Sequence, residues 1–252
     1  MKVFVTFAMD FEFTPWRNLR PFQQTSLGQR IVHTATVESA EICVAVTGVG
    51  SRNAERVSRA VCDGSTDICI SSGLAGALSP RNVVGDVLAA DRIVLADGSA
   101  PLRSDARLLD LAANCGAKRV GAFLTSETPV ATLAEKRRLV ALADAVEMES
   151  RSVIAAAQGR GIPAVAIRAV SDAADEDLPL DFARVVGPTG HVSIPKLLVQ
   201  LVAKPHRIPG LIRLGRSSRR AAIRLAEFLD AYVAALATRW NAAAPLTEVA
   251  AG

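Results

Sequence analysis

The chain has 252 residues, of which 50% are hydrophobic and only 4% are aromatic. Such a chain can bury a core of Ala, Val, Leu and Ile without disulfides, and it contains no apolar run of the ~18 residues that a membrane span needs. The net charge of +4 is unevenly distributed, because residues 193–240 carry nine basic and two acidic side chains whereas residues 1–192 carry a net charge of −2.

Strand patterns alternate with helix patterns through the first two thirds of the chain. The predicted strands cover residues 2–8, 30–37, 41–46, 67–71, 84–94, 119–125 and 163–170, with a short strand end at Val146. The predicted helices cover residues 51–62, 104–115, 132–142, 149–158, 194–202 and 208–236. We predict a loop over residues 9–21, because Pro15 and Pro21 act as breakers, and a glycine-bearing turn over residues 72–78.

The alternation predicts an α/β fold and three regions. Residues 1–192 are expected to form a single three-layer α/β/α catalytic domain around a central mixed β-sheet. Residues 193–240 are expected to form a basic, amphipathic helical extension, and residues 241–252 a frayed tail. The extension is expected to pack on the body or to dock on an acidic membrane surface, and its few aromatic residues argue against nucleic-acid binding.

Acidic residues stand at the ends of predicted strands and starts of helices, where an open α/β sheet forms its ligand crevice. Glu12 follows the first strand, Glu149 begins a helix, and Asp172 follows the last predicted strand. Three carboxyl groups in one crevice suit glycosidic cleavage, since one can protonate the leaving group, one can bind sugar hydroxyls and one can orient water. Each also has a structural interpretation, as a loop carboxylate, a helix N-terminal charge or a turn cap.

The segment around Met148 has two acidic residues, Glu147 and Glu149, at the start of a predicted helix. Either carboxylate could complement the helix dipole, and an ionised Glu149 could also accept both hydroxyls of a ribose, with Met148 as an apolar wall. Arg168 lies in a predicted buried strand and needs an acidic partner, for which Glu147 and Glu149 are the candidates.

Other sequence signals bear on ligand chemistry. Gly73 and Gly76 would let the backbone approach a ligand closely, although a simple turn is an equal interpretation. His33, His191 and His206 lack metal-ligand spacing, so we predict no metal site, and without a nucleotide-binding glycine loop or P-loop we predict no cofactor.

Four blocks in one order, residues 7–12, 72–78, 146–149 and 168–172, resemble the nucleoside phosphorylase/nucleosidase superfamily and are similar to its methylthioadenosine/S-adenosylhomocysteine nucleosidases. The resemblance covers roughly residues 1–172. It implies that Glu12 orients water and that Glu149 binds ribose hydroxyls with Met148 against the sugar. It also implies that Asp172, paired with Ser171, protonates the purine at N7.

The resemblance also bears on the nucleophile. The phosphorylases of this superfamily bind phosphate with arginines and a serine, but this chain has Ser71 where one arginine stands and Leu74 where the serine stands. A phosphate dianion needs a cationic, donor-rich site, so hydrolysis is favoured over phosphorolysis. Leu74 also departs from the nucleosidases, which have a small polar residue there.

A second resemblance, in the back half, is to the hopanoid-associated phosphorylases, the group of this superfamily that the chain resembles most. It is carried by residues 128–132, 146–150 and 177–179 and by the basic tail with its prolines at 205 and 209. This resemblance implies that adenine is removed from adenosylhopane, a lipid nucleoside, with Pro129 and Val130 beside the base. The tail would then hold the enzyme at the membrane.

The resulting hypothesis is an adenine nucleosidase in which Asp172 and Glu12 are catalytic. The substrate-binding residues would be Glu149, Met148, Ser171, Arg168, Gly73, Leu74, Pro129 and Val130. We expect a cytoplasmic homo-oligomer, peripheral on the inner membrane. Three alternatives stay open: a soluble methylthioadenosine/S-adenosylhomocysteine nucleosidase, a phosphate-dependent purine nucleoside phosphorylase, and a non-catalytic nucleoside-binding or membrane scaffold protein.

Overall fold

The computed structural model describes residues 1–28, 30–62, 64–179 and 207–240, which form eleven strands and six helices. The strands are β1 (Lys2–Phe7), β2 (Gln23–Leu27), β3 (Arg30–Val37), β4 (Ala40–Val46), β5 (Ile68–Ser71), β6 (Leu74–Ala77), β7 (Val87–Val94), β8 (Leu102–Arg103), β9 (Lys118–Thr125), β10 (Ala145–Glu147) and β11 (Ala164–Asp172). The helices are α1 (Asp10–Leu19), α2 (Ser51–Val61), α3 (Ala106–Asn114), α4 (Leu133–Leu139), α5 (Ser150–Gln158) and α6 (Ile208–Arg239).

All eleven strands belong to one mixed sheet in the order β2-β3-β4-β1-β5-β11-β6-β10-β9-β7-β8. The central strands β4, β1, β5 and β11 are parallel, whereas β6–β10 and β7–β11 are antiparallel pairs. Because β7 pairs with both β9 and β11, the sheet closes on itself at this end as a small barrel. The fold is therefore the three-layer α/β architecture with a mixed sheet that the alternating pattern predicts.

Helices cover both faces of the sheet, as the Val- and Ala-rich strands require. One core joins α1, α3 and the second half of α6 to β1, β4 and β11, and the opposite core joins α2 and α5 to the other face. Helix α6 is fixed by specific bonds, in which the Tyr232 hydroxyl donates to the Leu108 carbonyl (2.9 Å) and Asp230 pairs with Arg20 (2.7 Å). The C-terminal half of the basic extension is thus part of the main core.

Two local predictions are wrong. Residues 9–21 form helix α1 rather than a loop, although Pro15 lies inside it. Phe13 and Trp16, one helical turn apart, are fully buried against β1 and α6, and this tertiary packing outweighs the backbone hydrogen bond that a proline removes. Residues 72–78 contain strand β6 rather than only a turn, because Leu74–Ala77 pairs with both β11 and β10.

Other differences concern elements at the sheet margins and the end of the chain. The sequence pattern missed β2 and β8, since β2 is exposed along its whole length and β8 has two residues, so neither shows the alternation of a half-buried strand. The predicted helix at 194–202, the domain boundary at 192/193 and the tail at 241–252 lie outside the described residues. No helix among the described residues is long and apolar enough to cross a membrane.

Candidate active site

A cavity of about 280 Å³ opens where β1, β10 and β11 end. Glu12, Glu149 and Asp172, which are far apart in the sequence, all line this one cavity. The other lining residues are mostly apolar: Ala8, Met9, Phe11, Val49, Leu74, Ala75, Gly76, Thr128, Pro129, Val130, Val146, Glu147, Met148, Ser171, Leu178, Leu214 and Ser218. The cavity therefore offers apolar walls for a ring system and carboxyl groups at several points of its surface.

Glu12 lies in the first turn of α1 and points back across the end of β1. Its Oε2 accepts the backbone N–H groups of Ala8 (2.9 Å) and Met9 (3.1 Å), and Oε1 accepts that of Leu74 (3.4 Å). Burial raises the pKa of the Glu12 carboxyl, while these N–H groups and the charge of Arg168 act in the opposite direction. A carboxyl group held this rigidly, with a raised pKa, is suited to act as a general base.

Gly73 explains how Glu12 fits. A Cβ at position 73 would lie 3.3 Å from Glu12 Oε2, and the backbone φ of +143° also disfavours other residues. Gly73 is not part of the cavity wall itself; it makes room for the Glu12 carboxylate behind that wall.

Glu147 and Glu149 have different roles in the structure. Glu147 is buried at the N-terminus of α5, where its Oε2 accepts the N–H groups of Glu149 (2.9 Å) and Ser150 (2.6 Å). Thr125 donates its hydroxyl to Glu147 Oε1, and Arg168 Nη2 lies 2.7 Å from Oε2. Glu147 is therefore the carboxylate that satisfies the helix N-terminus and Arg168.

Glu149 is left with fewer internal partners and lines the cavity. Its Oε1 accepts the Gly50 N–H (2.8 Å), and its Oε2 lies 4.0 Å from Arg168 Nη2. Burial and the neighbouring charge of Glu147 raise the pKa of Glu149 to about 8, against the opposing effects of Arg168 and Gly50. The free oxygen lone pairs make Glu149 the residue best placed to bind hydroxyl groups of a ligand.

The raised pKa of Glu149 predicts how stability depends on pH. Between pH 4.5 and about 8 the folded chain keeps the Glu149 proton and the unfolded chain releases it, so stability falls as pH rises. We expect this group to contribute up to about 1.4 kcal/mol of loss per pH unit. Urea unfolding at pH 5, 6.5 and 8 should show a shallower loss for Glu149→Gln than for the wild type. Parallel pH dependences of the two proteins would contradict the assignment.

Asp172 ends β11 beside a β-bulge. The register with β6 shifts between Val170 and Asp172, so that Asp172 lies opposite Gly76, and a Cβ on Gly76 would be 2.9 Å from Asp172 Oδ2. The Ser171 hydroxyl lies 2.8 Å from Asp172 Oδ1. Bulges commonly turn a side chain toward a site, and here the glycine opposite provides the space.

The other carboxylate oxygen of Asp172 pairs with a lysine that the sequence analysis did not identify. Lys136 of α4 has a fully buried side chain, and its Nζ lies 2.6 Å from Asp172 Oδ2 and 2.6 Å from the Ala173 carbonyl. A sequence signal existed, because Lys136 is three residues from both Leu133 and Leu139 and so lies on the apolar face of the helix.

Of the remaining predicted residues, four line the cavity and Arg168 lies behind its lining. Met148, Leu74, Pro129 and Val130 all line the cavity. Arg168 does not; it is buried behind Glu147, which is its main partner, with Glu149 at a longer distance. Phe11, which flanks Glu12 in the sequence, also lines the cavity. Leu178 and Leu214 line it too and were missed, since nothing in a single sequence distinguishes a half-buried apolar residue that lines a cavity from one on an ordinary surface.

The charge of the cavity wall limits the ligands it can hold. Among the described residues that line it, none is a lysine or an arginine, whereas four are acidic. Ser71 is fully buried, and its hydroxyl and carbonyl accept hydrogen bonds from Arg168. In the described part of the chain, no group of three or more His, Cys, Asp or Glu residues is arranged to hold a metal ion.

Comparison with known proteins agrees with this architecture. The family model described as the phosphorylase superfamily matches residues 2–203. The structure is similar to futalosine hydrolase of Helicobacter pylori (22% identity, TM-score 0.72, 92% of this chain and 97% of that one). It is equally similar to a mutant H. pylori MTAN with 5′-methylthioadenosine in its active site (22%, 0.72, 92% and 97%).

A third similar structure is S-adenosylhomocysteine nucleosidase from Streptococcus pyogenes in complex with 5-methylthiotubericidin (20% identity, TM-score 0.72, 94% of this chain and 97% of that one). At these identities the structural matches show the shared fold. The family match covers most of the chain, so this protein belongs to the phosphorylase superfamily, and its structural neighbours include nucleosidases.

Proposed function

We propose that this protein hydrolyses the N-glycosidic bond of an adenine nucleoside and releases adenine. The observation that carries the proposal is the convergence of Glu12, Glu149 and Asp172 on one largely apolar cavity. Support also comes from a similar protein, a mutant H. pylori MTAN, whose structure holds 5′-methylthioadenosine in the active site.

In this mechanism each carboxyl group acts on a different part of the nucleoside. Asp172 delivers a proton to N7, so that the C1′–N9 bond breaks and adenine leaves as a neutral base. Glu149 binds the 2′ and 3′ hydroxyls of a ribose ring that gains oxocarbenium character. Glu12 takes a proton from water as the water oxygen bonds to C1′. Pro129 and Val130 flank the base as part of the apolar wall.

The cavity favours water over phosphate as the nucleophile. The backbone N–H groups of Ala8, Met9 and Leu74 already donate to the Glu12 carboxylate, so they are engaged by an anion. A phosphate dianion would meet this carboxylate and Leu74, with no cation in the described part of the wall to offset the repulsion. We therefore propose hydrolysis rather than phosphorolysis.

A substrate panel tests the proposed reaction. The protein is incubated with adenosine, 5′-methylthioadenosine, S-adenosylhomocysteine and a detergent-dispersed adenosine carrying a long 5′-alkyl chain, with and without phosphate. We expect release of adenine and a free sugar at rates that phosphate does not change. Strict dependence on phosphate with formation of a sugar 1-phosphate would establish a phosphorylase instead. Adenine binding without any product would favour a non-catalytic binding protein.

We further propose that the preferred substrate is a lipid nucleoside of the adenosylhopane type. Beyond the resemblance to hopanoid-associated phosphorylases, the lining of the cavity supports this, because Leu214 and Ser218 of α6 line it together with Phe11, which is 44% exposed. An apolar 5′ substituent could leave the cavity along α6. A soluble methylthioadenosine/S-adenosylhomocysteine nucleosidase is the alternative, and the panel separates the two by their relative rates.

The same helix supports a proposed membrane-peripheral location on the cytoplasmic side of the inner membrane. Residues 208–220, the N-terminal part of α6, contain no buried residue and expose Ile208 and Ile212, and α6 has no acidic residue before Glu227. Exposed arginines lie at positions 213, 216, 219 and 220. Basic side chains interleaved with exposed apolar ones are typical of helices that lie on an anionic lipid surface.

A vesicle assay tests this location. We expect the protein to sediment with vesicles of phosphatidylcholine containing 30% phosphatidylglycerol, and less with pure phosphatidylcholine vesicles, because each basic residue near such a surface contributes about 1 kcal/mol. Replacing Arg213, Arg216 and Arg219 by Gln should weaken binding on the order of 10²-fold. The same replacement of the three arginines 52, 56 and 59 on α2 is the control; equal losses in both variants would refute a role for α6.

We also propose that the protein is a homo-oligomer. The support is its superfamily membership, because proteins of this superfamily usually assemble as dimers, trimers or hexamers. Light scattering coupled to size-exclusion chromatography tests this, and a mass of 26.5 kDa at micromolar concentration would contradict it.

A further inference from the structure

Lys136 is the buried charge that the proposed chemistry leaves unexplained. Its side chain has no solvent exposure, and its ammonium lies 2.6 Å from Asp172 Oδ2 and 2.6 Å from the Ala173 carbonyl oxygen. A buried ammonium is costly unless it is paired. An apolar residue at position 136 would complete this face of α4 without that cost. The feature that requires explanation is why the carboxyl group at the base end of the cavity is held by a cation.

We propose that Lys136 is the positioning residue and proton source for Asp172, an inference that rests on the proposed nucleosidase function. At rest the pair is an ammonium and a carboxylate. As the base binds, the Lys136 proton passes to the Asp172 carboxyl group, which then carries the proton that N7 takes. The C1′–N9 bond breaks, the pair is left as a neutral amine and a carboxylate, and solvent reprotonates the amine after adenine has left.

The contacts around the Lys136–Asp172 pair support this proton transfer. Nζ and Oδ2 are 2.6 Å apart, in direct hydrogen-bond contact, so neither side chain has to move to bring the donor to the acceptor. The Ala173 carbonyl and the Ser171 hydroxyl restrain the pair from either side, and Gly76 leaves space for the carboxyl group against β6.

The charged groups near Lys136 are few in the described part of the chain. On α4, Glu135 is engaged with the backbone and hydroxyl of Thr132, and Arg137 and Arg138 are exposed. From the loop after β11, Asp177 accepts the Leu133 N–H at 2.6 Å. Asp172 is the group that forms an ion pair with Lys136.

The test compares leaving groups. Lys136→Met is expected to lower kcat for the adenine nucleoside on the order of 10²-fold, the size of effect typical of positioned acid catalysis. With 4-nitrophenyl β-D-ribofuranoside, whose leaving group needs no proton, the loss should stay below about threefold. Lys136→Arg keeps the positive charge but does not release its proton, so it should not restore the adenine activity. A purely structural lysine predicts equal losses on both substrates, and that result would overturn the proposal.

A double-mutant cycle, measured with the adenine nucleoside alone, tests independently whether Lys136 and Asp172 act together. In an Asp172→Asn background, Lys136→Met should cause little further loss, because both residues act on one proton. Additive losses would refute the coupling.

Arg137→Met, an exposed neighbour on the same helix, is the matched control, and thermal unfolding establishes that each variant folds. If the wild type cleaves neither substrate, the proposed function itself fails, whereas unimpaired adenine release by Lys136→Met sinks only this inference.

Discussion

Asp172→Asn is expected to lower kcat for adenine release on the order of 10²- to 10⁴-fold while leaving ligand affinity within a few-fold of the wild type. The asparagine amide can occupy the same space beside Gly76 and can hydrogen-bond the base, but it cannot transfer a proton to N7. Only the step that needs an acid is lost. Initial-rate kinetics on the best nucleoside of the panel, with calorimetric titration of adenine, measure the two effects separately.

A matched substitution shows whether the loss belongs to the site. Asp86 also forms an aspartate–lysine pair, with Lys118 at 2.5 Å, but it does not line the cavity. Asp86→Asn should therefore keep the wild-type rate. If Asp172→Asn retained wild-type turnover on every accepted nucleoside, the assignment of the acid would be wrong, whatever the cavity holds.

The fold was predictable because its signal is distributed over the whole chain. Buried parallel strands such as β1 and β5 read as short apolar runs, and the helices between them have amphipathic periods, so the α/β class follows from local patterns. Helix α1 was not predictable from the same rules, since Pro15 opposes a helix locally. It forms because Phe13 and Trp16 pack against α6, a contact across more than two hundred residues of sequence.

The roles of the residues in the candidate site also depend on contacts between segments that are distant in the sequence. Acidic residues at strand ends identified Glu12, Glu149 and Asp172, but the sequence could not separate Glu147 from Glu149, because both lie near the start of α5. The separation depends on Arg168 and Thr125, which reach Glu147 from other strands. Lys136 was missed for a related reason: a lysine on an apolar helix face becomes informative only when the partner that neutralises it is known.

Arg168→Met is expected to reduce the free energy of unfolding by about 3–5 kcal/mol, the usual cost of breaking a buried ion pair. Arg168 and Glu147 are almost completely buried, and Arg168 also donates to the carbonyls of Ser71 and Ile167. Its removal leaves the Glu147 charge and two carbonyl groups short of partners. Urea denaturation of the variant and the wild type measures the loss.

The double variant Arg168→Met/Glu147→Gln separates charge from packing. Removing both charges should recover a substantial part of the stability, since an uncompensated buried carboxylate is the main cost. A double variant no more stable than Arg168→Met would show that the arginine acts through its shape and hydrogen bonds alone.

Arg168 should also affect activity without touching the ligand. Its charge lowers the pKa of both Glu12 and Glu149, against the larger effect of their burial. In Arg168→Met both pKa values should rise, so the pH at which kcat/KM reaches its plateau should move upward as Glu12 needs a higher pH to act as a base. Arg168 would thus stabilise the fold through its ion pair with Glu147, and it would set the pH range of activity through its effect on the pKa values of Glu12 and Glu149. An unchanged pH profile in a folded Arg168→Met would separate these two roles.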